Sequence, residues 1–333
     1  MTEVDSPDGL PVVQPTRERV DDFLAITDRA GEETVGEIPP SYTPITVETT
    51  AVNAVMAGCA PEHFPVVLAA LEASLQEQFN LYGVLATTHP CWPSVVVNGP
   101  IAEKVGINGA DNAYGQGTRA NATIGRALTL VYMNAGGAVQ GQGDKATHGG
   151  PHKFGLCVAE NEEASPWDPL HVERGFDPAE STVTVFGAES PHNVNDHVAD
   201  TPQGILTTAA DTMAKVGTNL AYLSARGEPH LVLSPEHAAT IARADWTKTD
   251  VKRFLYDHAR IPRHRHRDHG MYDPEDGGLP RHARGLDDDQ LVPIAASPEK
   301  FVVTVTGGTG RHSLFHPSFG DTESVTVAVD DVT

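Results

Sequence analysis

The sequence predicts an α/β protein, with a mostly parallel or mixed sheet and a second lobe in its C-terminal part. Two observations carry this. Short β-branched runs, such as Val95-Val96-Val97, alternate along the chain with segments whose apolar residues recur at helical spacing. Several of those runs hand over directly to polar loops, as strands of an open sheet do where ligands bind. At 333 residues the chain can build one large or two ordinary domains. The expected division is an acidic, partly disordered arm over residues 1–44, a main α/β domain over 45–200, and a second α/β lobe over 201–333 with a flexible insertion at 263–290.

The arm is rich in Pro, Asp and Glu, and only the run from Val20 to Ile26 is apolar enough for a short helix. Thr46 is a plausible N-cap for a helix carrying Val47, Ala51, Val52, Val55 and Met56 on one face, and Gly58 is placed to end it. Pro61 or Pro65 can open the next helix, since the amide that proline lacks has no partner in a first turn. Either start puts Cys59 near a helix N-terminus, where the dipole favours a thiolate; a small buried thiol at a helix corner is the alternative. Residues 81–87 and 94–98 read as strands, joined by a loop in which Pro90 and Pro93 stiffen the support for His89 and Cys91.

Thr118 begins a helical pattern with Ile124, Ala127, Leu128 and Val131 inward and Gly136-Gly137 at its end. Gly115 and Gly117 precede it, and Arg119 and Asn121 fall in its first turn. A glycine turn opening a helix presents amides to a carboxylate or phosphate, and Arg119 would add a fork of donors; a purely structural turn competes with that reading. Lys145, His148 and His152 stand on a polar, glycine-rich loop, after which 154–159 reads as a strand delivering Glu160 at its C-terminal end. Residues 182–186 form another strand by alternation and lead into a loop dense in His, Asn and Asp that holds His192 and His197. Thr201-Pro202 and Ser234-Pro235 are cap-proline helix starts, Thr249 starts a further helix, and strands are expected at 231–233, 301–305 and 324–329, with a flexible loop over 307–313. His264, His266, His269 and His282 lie in a segment with no apolar anchor, which reads as a solvated insertion rather than a metal site.

Composition narrows the partners. A formal charge of −22, with 7 Lys beside 16 Arg, indicates a surface kept hydrated in high salt, and it repels nucleic acid and anionic membrane. No apolar run reaches the ~18 residues of a membrane helix. Three scattered cysteines and an acidic start lead to the expectation of a reduced, cytoplasmic chain.

The segments 51–62, 119–126, 159–167 and 233–237 together resemble the bacterial and archaeal proteins associated with the UGSC selenoprotein family, often labelled thiol-disulfide oxidoreductase-like. The resemblance covers roughly residues 45 to 333 and implies redox chemistry. The segment that gives the family its name, a selenocysteine or cysteine followed by Gly-Ser-Cys, is absent.

Three functions are therefore expected to compete. The first is a thiol-dependent, oxidoreductase-like enzyme acting on a small anionic substrate, with Cys59, His89, Cys91, His148 and Glu160 as catalytic candidates. Gly115, Gly117, Arg119, Asn121, Lys145 and His192 are its candidates for holding the anion. The second is a hydrolase or lyase using a divalent metal among His89, Cys91, His148 and His152, with Glu160 beside them; any other cofactor is left open. The third is a non-catalytic anion-binding subunit, in a homo-oligomer or beside a separate subunit carrying the Gly-Ser-Cys segment.

Overall fold

Regular structure begins well inside the stretch expected to be a loose arm. The computed structural model describes residues 6–223, 226–268 and 287–330. Thr16 Oγ1 accepts the Arg19 amide and starts α1 (Arg17–Leu24). Val20 and Phe23 of this helix are buried, the Phe23 ring meeting that of Phe64 edge-on at 5.7 Å. A hairpin follows, β1 (Thr34–Ile38) paired antiparallel with β2 (Thr43–Thr46). The short helix expected within the arm is thus present, and Val20, Phe23 and Ile38 anchor a segment whose composition is otherwise solvated.

Thr46 caps α2 (Val47–Ala57) in a reciprocal box with Thr49, and Gly58 ends it at φ 89°. Pro61 opens a 3-10 turn and Pro65 sits in the first turn of α3 (Phe64–Ser74), so both competing prolines begin an element. The strand expected at 81–87 is instead α4 (Leu81–Leu85), because Asn80, at φ 54°, accepts the Gly83 amide and caps a helix there. The fully buried β3 (Trp92–Asn98) leads through the single turn α5 (Ile101–Lys104) to α6 (Arg119–Asn134), which crosses to β4 (Leu156–Ala159). A short α7 (Leu170–Glu173) precedes β5 (Thr182–Ala188).

Beyond it, β6 (His192–Asn195) is a strand where a loop was expected, its single inward residue being Val194. Thr201 caps α8 (Pro202–Met213), and α9 (Leu220–Leu223) comes before β7 (His230–Leu233). Ser234 caps α10 (Pro235–Ala242), and Thr247, boxed with Asp250, caps α11 (Lys248–His258) in place of the expected start at Thr249. Then come β8 (Arg260–Pro262), α12 (Arg263–Asp268), β9 (Leu291–Pro293), β10 (Val302–Val305), β11 (His312–His316) and β12 (Val325–Ala328). Most of the expected insertion at 263–290, with His269 and His282, lies outside the described residues, while α12 occupies its start.

The chain divides into two compact units, each discontinuous: Met1–Glu160, His171–Gly187 and Ser324–Thr333 in the first, and Asn161–Leu170 with Ala188–Glu323 in the second. In the first unit the sheet order is β12-β5-β3-β4, with β3 and β4 parallel and β12 antiparallel to β5. The pairing of β12 with β5 is why the last strand belongs to the N-terminal unit rather than to a lobe beginning near residue 201. The parallel β3–β4 pair requires a crossover, and α6 supplies it, packed on α2 and β4. The approach is close: a Cβ on Gly125 of α6 would lie 2.5 Å from the Leu156 amide nitrogen.

The second unit holds the sheet β10-β7-β11-β6, parallel between β10 and β7 and antiparallel elsewhere. Helices α8, α10 and α11 bury Ile205, Leu206, Ile241, Val251 and Leu255 with Leu231, Val303 and Phe315 of the strands. Mixed α/β architecture, as the alternation predicts, describes both units.

Candidate functional site

The thiols of the first unit are all free and all buried. Cys59 follows the αL glycine that ends α2 and precedes the 3-10 turn, so the polypeptide places it at the helix corner that the local sequence implies. Of the two readings open for it, the buried thiol is the one found: burial pushes it up to about 12, against smaller downward pulls from a Thr123 hydrogen bond and the charges of Arg119 and Arg126. Cys157, inside β4, is also pushed up, by burial first and then by the charge of Cys59. Cys91 is fully buried, its Sγ 3.6 Å from the Val84 carbonyl oxygen that receives its weak hydrogen bond.

A cleft of about 360 Å³ opens beside Cys157, lined among others by Tyr114, Gly115, Asn121, Thr123 and Arg126. One face of α6 supplies Arg119, Thr123 and Arg126, spaced by four and three residues as a helical stripe requires. Arg126 grips Asp8 through Nε and Nη2, at 2.7 and 3.2 Å, and donates also to the carbonyls of Ala57, Leu10 and Pro11. That pair, with side chains 13% and 3% exposed, ties the N-terminal segment to the cleft. The Asp8 carboxyl is held below its ordinary range: burial works the other way, and the Arg126, Ser6 and Leu10 hydrogen bonds outweigh it.

Arg119 is exposed, yet its fork is engaged, Nε donating to the Gly58 carbonyl at 2.9 Å and Nη2 to that of Cys59 at 3.1 Å. It closes the C-terminal end of α2, whose carbonyl dipoles attract a cation, rather than presenting a free fork to an anion. Asn121 is likewise structural: its side chain accepts the Asn108 amide and donates to the carbonyls of Asn108 and Ala113. Gly115 and Gly117 are exposed, as an anion turn would be, with Gly117 at φ 122°.

At the carboxyl ends of the parallel strands Asn98 Nδ2 donates to Glu160 Oε2 at 2.7 Å, both side chains buried. Tyr114, which lines the cleft, is pushed up by burial first and then by the Glu160 charge. A second cleft, of about 380 Å³, is lined by Trp92, Thr129, Asp144, His148 and Lys153. Lys153 sits 2.7 Å from Asp144 and 4.3 Å above the Trp92 ring, so its charge is compensated in place. Lys145, exposed, donates to the Gly141 carbonyl of its own loop.

The structure thus gathers Cys157, Gly115 and Asn121 around one cleft, with Cys59 hydrogen-bonded to Thr123 of its lining, and leaves His148 in another. His89 is half-buried in the proline loop, His152 is buried in a 3-10 turn, and His192 belongs to the second unit, exposed on β6. Among the described residues no three His, Cys, Asp or Glu side chains group as a metal site, so the donors at 89, 91, 148 and 152 do not form one. Sequence reasoning missed Arg126, Thr123, Tyr114 and Asn98. The stripe 119, 123, 126 was the available signal for the first two; the others depend on strand ends meeting in space.

No protein-family model matches the chain, no curated protein matches it, and no solved structure matches it. Among the described residues, no helix is long and apolar enough to cross a membrane.

Proposed function

We propose that the first unit is a thiol-dependent redox module whose reactive pair is Cys59 and Cys157, acting on a small anionic disulfide. The observation that carries this reading is a cleft lined by the Cys157 thiol, Thr123 and Arg126, with Cys59 hydrogen-bonded to that Thr123 and under the charges of Arg119 and Arg126. The resemblance of four segments to proteins associated with the UGSC family supports the same chemistry. The exchange balances without a further reagent: the two thiols become one Cys59–Cys157 disulfide, and the substrate disulfide takes their two electrons and two protons to leave as two thiols. Both thiols rest protonated, so attack follows local opening that lets one ionise.

A second reading is favoured by the burial that raises Cys59: the thiols fill a helix–strand corner, and the unit binds an anion without turnover, with a separate Gly-Ser-Cys subunit supplying the reactive group. Oxidised glutathione separates the two. The redox reading expects a Cys59–Cys157 crosslink in peptide maps of native protein, absent in Cys157→Ser. Thiols that stay reduced until denaturant is added would leave only the binding reading.

A further inference from the structure

Outside the thiol cleft, two exposed imidazoles in the second unit meet, His197 and His312. His197 follows β6 and His312 opens β11, the strand that pairs with β6 so that His312 lies opposite Asn195. Their Nε2 atoms are 3.1 Å apart, the rings nearly perpendicular at 78° with centres 4.7 Å apart. At that separation the lone pairs of both nitrogens can converge on one ion about 2.1 Å from each.

The surroundings prepare such a pair. His312 Nδ1 lies 3.1 Å from Asn193 Oδ1, which places the proton on Nδ1 and leaves Nε2 as a bare donor atom. The backbone under His197 is anchored on several sides. The Asp196 carboxylate accepts the amides of Val198 and Ala199 and the Thr208 hydroxyl. The Asp196 carbonyl accepts from Arg311 Nε at 3.1 Å and from His237 Nε2 at 2.9 Å, and Arg311 also donates to the Ala199 carbonyl. A turn held this firmly keeps an imidazole in place before any ion arrives, which limits the ordering that binding would otherwise require.

We infer that His197 and His312 form a surface site for an imidazole-preferring divalent transition ion of the zinc, nickel or copper class. Two protein nitrogens hold the ion and water fills its remaining positions, so the site is open to exchange and to a third ligand from solution. It lies in a different unit from the thiol pair and does not depend on the redox reading.

The experiment titrates the full chain with zinc chloride, followed by calorimetry, and repeats the titration with copper under electron paramagnetic resonance. The wild type is expected to bind one zinc equivalent more tightly than the rest, and the copper spectrum to show coupling to two nitrogens. His197→Gln and His312→Gln should each weaken that equivalent at least about tenfold, and Asn193→Leu should weaken it measurably, since loss of an orienting partner lowers affinity at such sites. His148→Gln and His264→Gln, which change exposed histidines elsewhere, should leave it unchanged. All three substituted site positions are exposed, so folding is preserved and checked by circular dichroism. The inference is overturned if the tightest equivalent survives both histidine substitutions, or if zinc fails to bind at millimolar concentration.

Discussion

Gly125→Ala sets two physical effects in opposition, and the structure says which wins. By intrinsic propensity alone, alanine in a helix interior is favoured over glycine by about 1 kcal/mol. Here the new Cβ would lie 2.5 Å from the Leu156 nitrogen, 2.7 Å from the Gly155 carbonyl carbon and 3.0 Å from its Cα, all of them backbone atoms that no rotamer change can move. From the other side, a Cβ on Gly155 would stand 2.2 Å from the Gly125 carbonyl carbon, and Gly155 already sits at φ 120°. Relief therefore means lifting α6 off the start of β4. Overpacking of this kind costs about 1–3 kcal/mol, and more where only backbone can yield. Against the propensity gain we expect a net loss of about 1–2 kcal/mol. Amide hydrogen exchange in peptides spanning 119–134 measures it as local opening energy without assuming that the two units unfold together. Ala122→Gly, at an exposed position of the same helix, calibrates the propensity contribution in the same peptides. A Gly125→Ala variant with protection equal to or above wild type would refute the close-approach argument.

Other perturbations follow from the same coordinates. Asp8→Ala strips Arg126 of its charge partner but leaves three carbonyl acceptors, so a loss of about 2 kcal/mol is expected in urea unfolding of the first unit, below the 3–5 typical when a buried ion is left with nothing; an unchanged midpoint would show that the segment is not anchored there. Because the Asp8 carboxyl is lowered in the fold, its contribution is present at neutral pH and is lost only as pH falls through the folded value. His63, His237 and His266 are held below 6.5 chiefly by burial, so as pH drops through 6.5 the unfolded chain takes up protons that the folded one refuses. Stability should fall with acid below that point by up to about 1.4 kcal/mol per pH unit for each imidazole, and His237→Gln should flatten the slope; midpoints constant from neutrality to pH 5 would contradict this. With a net charge of −22, raising salt from 0.1 M toward 1 M shortens the screening length from about 10 to about 3 Å and should raise the melting temperature, an effect that a purely salt-indifferent surface would not show.

What could be read from the sequence was what short-range chemistry decides. Thr46 with Gly58, Thr201 with Pro202 and Ser234 with Pro235 mark helix ends because cap hydrogen bonds form within a few residues. The apolar run 81–87 misled because its helix depends on Asn80 entering the left-handed region, which residue type permits but does not announce. Strands β6 and β11 were hidden because the segment His-Asn-Val-Asn turns one apolar side chain inward and reads as a loop until its partner strand is in place. For Cys59 the helix corner was visible and both a dipole-favoured thiolate and a buried thiol fitted it; the depth of burial, which decides between them, depends on packing that the local sequence does not report. Of the candidates between residues 89 and 157, His148 lines one cleft and Gly115, Asn121 and Cys157 another, a separation that spacing along the chain does not report.

The cations around Cys59 bear on how its chemistry could be switched on. Arg126 and Arg119 donate to the carbonyls of Ala57, Gly58 and Cys59, so the charges that would stabilise a thiolate already close the end of α2. Removing Arg119 therefore has two separable effects: it loosens the helix end and takes away a charge that lowers the Cys59 thiol. If opening governs reactivity, Arg119→Ala and Gly125→Ala should both speed iodoacetamide labelling of native Cys157, about tenfold for each 1.4 kcal/mol of local stability lost. If thiolate charge governs it, Arg119→Ala should slow Cys59 labelling while Gly125→Ala leaves it alone. Labelling of both thiols at one rate, unchanged by either substitution, would mean that α6 controls access to neither.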